Sequence, residues 1–477
     1  MPPIYSADRR QFLKQTLAVL ASTSGLYSLS STGLAENLPN NANVRFLTRN
    51  DKDYLKHRQI FNKRITAMPK VIAVCANEQG VQAAINYAKA QQLQVAIKSG
   101  GHSFEGFSTN DNGLMLDLSA MNTMRYDKAN QHLVIQPGAK LGKVYEYLNQ
   151  YGRLIPAGSC AGVGVAGLTL GGGYGFFGRQ LGLTCDSLLR VKLVDGQGNL
   201  HDSTNEPDLL WACKGGGNGN FGVVTELEFI THPAPKTFSS YRYKYRNLNA
   251  SKAVSLAERW FKLMASLPNT AYSSWVLNGK NLTILLTDTA PTANAALKAI
   301  LTALSKDAND IMSPRKDVFL AGIQRYRGGT DPIYFKNVSA GYYADYTSIQ
   351  TALPEVCQKI VSSKLTTLLQ INTLGGMINN SEQESKAAYP HRQYAFLGEL
   401  QTYYDKASQT PIAESIVTEI QSLFRKVGIN AHYRNYPDIG IKEWQKAYYG
   451  NNYLKLQGLK RKWDPQDRIH HPQSVRL

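Results

Sequence analysis

A chain of 477 residues with 43% hydrophobic composition has room for two or three domains and an ordinary globular core. Its formal charge of +18 comes from scattered basic residues, with no zinc or other metal spacing, RNP-type motif or compact Lys/Arg run, so nucleic acid is not an expected partner. No apolar run is long enough for a membrane-spanning helix, and five cysteines (75, 160, 185, 213, 357) are too scattered for a disulfide framework.

At the amino terminus, Arg9-Arg10 precede Phe12-Leu13-Lys14 and a short apolar stretch, Leu17–Ala21, with small residues at Gly33-Leu34-Ala35. This pattern predicts a bacterial twin-arginine export signal over 1–35, read by the export machinery and leading to the periplasm or medium. A basic amphipathic helix is the plainer alternative. Residues 36–65 read as a polar lead-in.

Val71–Cys75 then reads as a buried strand, Val81, Ala84, Ile85 and Ala88 repeat at helical spacing, and Gln94–Lys98 forms a second strand. This unit delivers Ser99-Gly100-Gly101-His102-Ser103 to a loop at a strand end, where ligands of α/β folds commonly sit. Strands are predicted at Leu114–Leu118 and Leu133–Gly138, and a helix from Leu141 to Tyr151. Pro156–Gly178 carries nine glycines and reads as coil whose exposed N–H groups suit a pyrophosphate. It holds Gly158, Ser159, Cys160, Val163, Gly164 and Gly167, then Gly171, Gly172, Gly173 and Gly175. Gly173–Gly178 matches GxGxxG with Asp195 downstream, but Arg179–Thr184 has no sustained helical face, so a Rossmann site is not predicted.

A strand at Leu189–Val194 and a turn at Asp195–Gly198 lead to a second glycine cluster, which runs into Gly222, Val223 and Val224. Composition shifts at His232–Pro235, placing a domain boundary there. Beyond it lie predicted strands (Leu282–Leu286, Thr367–Leu374, Tyr394–Thr402) and amphipathic helices (Lys252–Leu267, Asn294–Ala303). Alternation on the last strand puts Glu399, Gln401 and Tyr403 on one face, either converging on a substrate or forming a solvated edge. Lys455, Lys460, Arg461 and Lys462 read as a solvated helix face.

His102 and Cys160 are both nucleophilic side chains set among glycines, 58 residues apart. Alone, each reads as structural: a hydrogen-bonded loop histidine and a small buried hydrophobe. Together, SGGHSFEG and PAGSCAGVGVAGLTLGGGYG resemble the berberine-bridge-enzyme-like FAD-linked oxidases of the vanillyl-alcohol-oxidase superfamily.

The resemblance implies an α+β fold. A PCMH-type FAD-binding domain of two α/β subdomains would span 36–235, an antiparallel sheet covered by helices 236–425, and a carboxy-terminal segment 426–477 would pack back on the flavin domain. It implies FAD bound covalently, with His102 on the 8α-methyl carbon and Cys160 on C6. The glycines and flanking residues named above would cradle it, and Val163 would sit at the oxygen gate. Many family members have a histidine where this chain has Leu168, which leaves the group balancing charge at the reduced ring open. Tyr436 matches the family's active-site tyrosine, and either it or Glu399 would be the base, with Gln401 beside them. The expected reaction moves hydride from an alcohol or sugar carbon to flavin, with O2 returning H2O2. A flavin dehydrogenase or oxidase acting on phenolic or alkaloid-like metabolites, or a non-catalytic exported binding protein, are the other readings.

Overall fold

The computed structural model describes residues 38–477, so the predicted signal over 1–35 lies outside the described residues. From Asn40 onward the chain packs as one continuous unit containing three substantial sheets.

The first sheet holds β1 (Val44–Leu47), β2 (Val71–Cys75), β3 (Val95–Lys98) and β4 (Leu114–Asp117) in the order β1-β2-β4-β3. β2, β4 and β3 are parallel, and β2 and β4 are almost wholly buried, which is why they read as unbroken apolar runs. The helix Glu78–Ala90 crosses over between β2 and β3, capped by Asn77, whose side chain accepts the Gly80 N–H. The predicted polar lead-in needs correction. Its Val44–Leu47 pairs antiparallel with β2, a four-residue strand too short to show against flanking asparagines.

The second sheet takes β5 (Met124–Asp127), β6 (His132–Ile135), β8 (Leu188–Asp195), β9 (Leu200–Asp202) and β10 (Gly222–Ile230), while β7 (Arg153–Leu154) pairs with β11 (His232–Pro233). Its order is β5-β6-β10-β8-β9. The predicted coil over 158–178 contains a helix, Val165–Leu170, whose neighbouring glycines masked it.

The third sheet is antiparallel and has seven strands. These are β12 (Phe238–Tyr245), β13 (Ala271–Asn278), β14 (Asn281–Asp288), β15 (Asp310–Asp317), β16 (Tyr334–Tyr343), β17 (Thr366–Thr373) and β18 (Phe396–Tyr404), ordered β15-β12-β14-β13-β17-β18-β16. Alternation divides its faces. Leu277, Leu369, Ile371 and Leu400 point into a core shared with the helices Ala250–Met264, Leu353–Val361 and Thr410–Lys426. Gln370, Asn372, Glu399 and Gln401, one residue out of phase, occupy the opposite face.

Residues 427–477 close against the first two sheets: Ile469 bridges to Val95 of β3, and Arg468 Nε donates to the Gly196 carbonyl. Here too a prediction fails. Lys460 is fully buried, and its ammonium donates to Asp464 at 2.7 Å, the Asn220 carbonyl at 2.8 Å and the Ile469 carbonyl at 2.7 Å. The cluster reads as solvated in sequence because its partners arrive from loops distant in the chain; Lys455, Arg461 and Lys462 are exposed.

No helix of the described residues is long and apolar enough to cross a membrane. All five cysteines are free; Cys160 is exposed and the other four are buried.

Candidate active site

The His102 loop and the Cys160 loop touch through their backbones. An added Cβ on Gly100 would lie 2.3 Å from the Gly164 nitrogen, and one on Gly164 would lie 2.1 Å from Ser99 Oγ. One on Gly162 would meet His102 Nε2 at 2.9 Å. Any side chain at these positions would push the loops apart, so the glycines here set the distance between His102 and the Cys160 loop. Gly101 adopts φ +69°, the left-handed conformation that turns the chain after β3.

His102 stacks on Phe61, ring centroids 4.2 Å apart, and no ring hydrogen bond engages it among the described residues. Burial, aided by the Lys140 charge, pulls its pKa down to about 4, so the ring is neutral with a free lone pair at pH 7. Cys160 is open to water. The surrounding protein and the Glu399 charge push its thiol up.

Four buried or half-buried features fit a bound dinucleotide. Ser108 Oγ and Thr109 Oγ1, just beyond His102, are buried without partners, and so is Asn218 Oδ1 of the second glycine cluster. A Cβ on Gly167 would enter open space. Orphaned polar atoms beside glycine-rich loops are what a polar ligand satisfies.

The other predicted cofactor residues divide. Ser99 Oγ donates to the Pro137 carbonyl and Ser103 Oγ accepts the Phe107 N–H, so both shape the loop. Gly158 and Ser159 lead into Cys160, and Val163 packs on the adjoining core. Gly171, Gly172, Gly173 and Gly175 are taken up by protein, against Asn435, Tyr389, Thr184 and the Ala157 carbonyl respectively. Gly222, Val223 and Val224 begin β10, paired with β8, and Gly222 packs on Leu193.

Opposite the His102 and Cys160 loops stands the polar face of the third sheet. Glu399 and Gln401 are buried, and Gln370 sits across from Glu399 in register. The Tyr403 hydroxyl donates to Gln401 Oε1 at 2.9 Å. Gln370 Nε2 donates to Asn372 Oδ1 at 2.7 Å, and the Tyr272 hydroxyl donates to the same oxygen at 2.5 Å. The Tyr436 ring stacks on Phe104 at 5.1 Å, and its hydroxyl lies 2.8 Å from that of Tyr174. Tyr436 and Gln401 both reach the Glu399 carboxylate.

Burial lifts the Glu399 pKa to about 7 against these two hydrogen bonds. The same burial and the Glu399 charge push the Tyr436 phenol well above its ordinary value. Glu399 therefore changes charge near neutrality while Tyr436 stays protonated, which distinguishes the two groups that the sequence left equivalent.

Sequence reasoning missed Gln370, Asn372, Tyr272, Tyr174 and Phe104. Two had a signal: Gln370 and Asn372 interrupt an apolar strand at period two. Tyr174 was hidden inside the GxGxxG match. Glu105, three residues past His102, was also passed over. It pairs with Arg64 at 2.5 Å and with Lys336, which reaches Asp438 at 3.2 Å, and so joins the His102 loop to β16 and the Tyr436 segment.

Comparison with known proteins gives this arrangement its class. Residues 69–204 match the family described as FAD binding domain, and 432–476 that described as berberine and berberine like. The chain is 30% identical to the chitooligosaccharide oxidase of Gibberella zeae, covering 87% of this chain and 89% of that protein. It is 28% identical to the FAD-linked oxidoreductase YgaK of Bacillus subtilis, over 90% and 96% of the two chains. A solved chitooligosaccharide oxidase superposes with TM-score 0.82 at 25% identity, over 91% of this chain and 97% of that one. Fold and site thus define an α+β, PCMH-type FAD-dependent oxidoreductase. The chain belongs to the berberine-bridge-enzyme-like family of FAD-linked oxidases.

Proposed function

We propose that this enzyme oxidises a sugar hydroxyl, the anomeric one of a reducing oligosaccharide, with its FAD tethered through His102 and Cys160 and O2 reduced to H2O2. The observation that carries the reading is Glu399: a buried carboxylate with pKa near 7, facing the tether loops and flanked by a phenol and an amide. Bound FAD supplies the hydride acceptor.

The residues supply the rest. Glu399 takes the proton of the substrate hydroxyl as the C–H bond breaks, and its raised pKa matches a general base working near pH 7. Tyr436 and Tyr174, a hydrogen-bonded pair with high pKa values, orient that hydroxyl as neutral donors. Gln370, Asn372, Gln401 and Tyr403 offer amide and phenol groups of the kind that pair with sugar hydroxyls. Aromatic faces such as Phe104 suit the C–H faces of the ring. The carbohydrate substrates named for relatives such as the chitooligosaccharide oxidase support this class.

The test is peroxide release from a panel of reducing oligosaccharides, monosaccharides and phenolic alcohols. Oxidation of at least one oligosaccharide, with the flavin retained through acid precipitation, is the expected result. Colourless protein from a flavin-sufficient host, or peroxide from phenolic alcohols alone, would overturn it.

Val163 bears on the oxygen half of the cycle. Its backbone is held by bonds to Cys160 and Leu141, so a larger side chain cannot retreat by moving the loop. Val163→Leu is expected to slow reoxidation by O2 about tenfold, equivalent to about 1.4 kcal/mol, with reduction unchanged. Stopped-flow reoxidation at the wild-type rate would retire the gate.

A further inference from the structure

Four buried cations among the described residues face carboxylates: Lys98 faces Asp117, Lys336 faces Glu105 and Asp438, Lys460 faces Asp464, and Arg392 faces Asp186. Arg434 does not. It is 5% exposed, yet its donors meet only neutral groups: Nε donates to the Tyr449 hydroxyl at 2.8 Å, and Nη2 lies 2.9 Å from His471 Nε2 and 3.5 Å from the Asn218 carbonyl. Its guanidinium also lies over the rings of Phe107 and Tyr448, at 5.6 and 5.7 Å. His471 supplies no charge, because burial and Arg434 itself hold its ring neutral. Arg434 Nη1 makes no hydrogen bond with the described residues. A permanent charge taken out of water without a counter-ion is costly, so its presence points to an anion that completes the site.

Its position indicates which anion. Asn435, the next residue, donates to the Leu168 carbonyl at 2.9 Å and accepts from Asn218 Nδ2 at 2.9 Å, and Gly171 packs on that same Asn435. Arg434 is therefore grouped with the carboxy-terminal end of the helix Val165–Leu170, whose amino-terminal end adjoins the Cys160 loop. Six residues at about 1.5 Å each span about 9 Å, close to the length of a three-ring flavin. A ring tethered at Cys160 and lying along this helix would reach the Arg434 end with its pyrimidine edge, where reduction leaves a negative charge. Phe107, beneath the guanidinium, belongs to the His102 loop and closes the same group.

We propose that Arg434 is the fixed positive charge that balances the reduced flavin, the role left open by Leu168. The inference rests on the flavin site proposed above. It makes Arg434 a positioning charge that raises the flavin's affinity for electrons and for anions adding to the ring.

Sulfite is the probe, because it binds oxidised flavin to leave a negative ring and needs no substrate. In purified holoenzyme, Arg434→Gln is expected to weaken the sulfite Kd at least tenfold and lower the flavin midpoint potential. Arg434→Lys, which keeps the charge, should stay within threefold of wild type. Asn218→Asp adds a negative charge to the residue whose backbone carbonyl faces Arg434, without removing the arginine, and should weaken sulfite in the same direction even where Arg434→Gln does not fold. Wild-type sulfite affinity and potential in yellow Arg434→Gln, or in yellow Asn218→Asp, would overturn the proposal. So would loss of flavin content with an unchanged potential in the remaining holoenzyme, which would move the charge to the diphosphate. Colourless wild-type protein would instead sink the flavin-tether reading itself.

Discussion

Glu399→Gln is expected to slow anaerobic flavin reduction by roughly a hundredfold to ten-thousandfold, the range for removing a positioned general base, while leaving flavin content intact. The substitution keeps volume and hydrogen bonding to Tyr436 and Gln401 but removes the proton acceptor. In the wild type the reduction rate should rise with pH through about 7, because only the ionised carboxylate is a base and burial sets its pKa there. In Glu399→Gln that rise should vanish. Stability should move the other way. A carboxyl whose folded pKa lies above its unfolded value disfavours folding once it ionises, so stability falls between pH 4.5 and 7 and stays lower above. The penalty amounts to about 3 kcal/mol. Glu399→Gln should therefore melt higher than wild type at pH 8. Normal reduction in this variant would remove Glu399 from catalysis and return the question to Tyr436→Phe.

The two proposed tethers should behave differently when removed. His102 is neutral and unpaired, with its pKa pulled down to about 4, so its lone pair is available throughout the neutral range. Cys160 begins as a thiol whose pKa is raised, and it must lose a proton before it can bond to carbon. Cys160→Ala should thus keep covalent flavin through His102, while His102→Ala should form its remaining bond slowly, faster at higher pH. The double variant should release all flavin on acid precipitation. The measurement is flavin absorbance in precipitate and supernatant after reconstitution with FAD. Complete release from Cys160→Ala would argue against independent links.

Much of this was legible in the chain. The strand–helix–strand unit carrying His102 showed because buried parallel strands and an amphipathic helix leave different periods in sequence. The face shared by Glu399, Gln401 and Tyr403 followed from strand alternation alone. What could not be read was convergence from a distance. Asn372, Tyr174 and Tyr436 come from three separate elements, and nothing local marks them as neighbours. Lys460 misled for the same reason: a lysine among lysines looks solvated until Asn220 and Ile469 arrive to bury it. Glu399 against Tyr436 was undecidable because a pKa depends on burial, which composition does not carry.

The Ile469–Val95 bridge and the contacts of Lys460 with Asn220 have a consequence for synthesis. Translation delivers the His102 and Cys160 loops first, and the segment that supplies Tyr436 and seals β3 emerges more than 250 residues after them. A chain cut before residue 427 would hold the His102 and Cys160 loops with no finished pocket around them. Assembly order is thus written into the topology: capture of the cofactor in a complete pocket waits for the segment after residue 426 to be made.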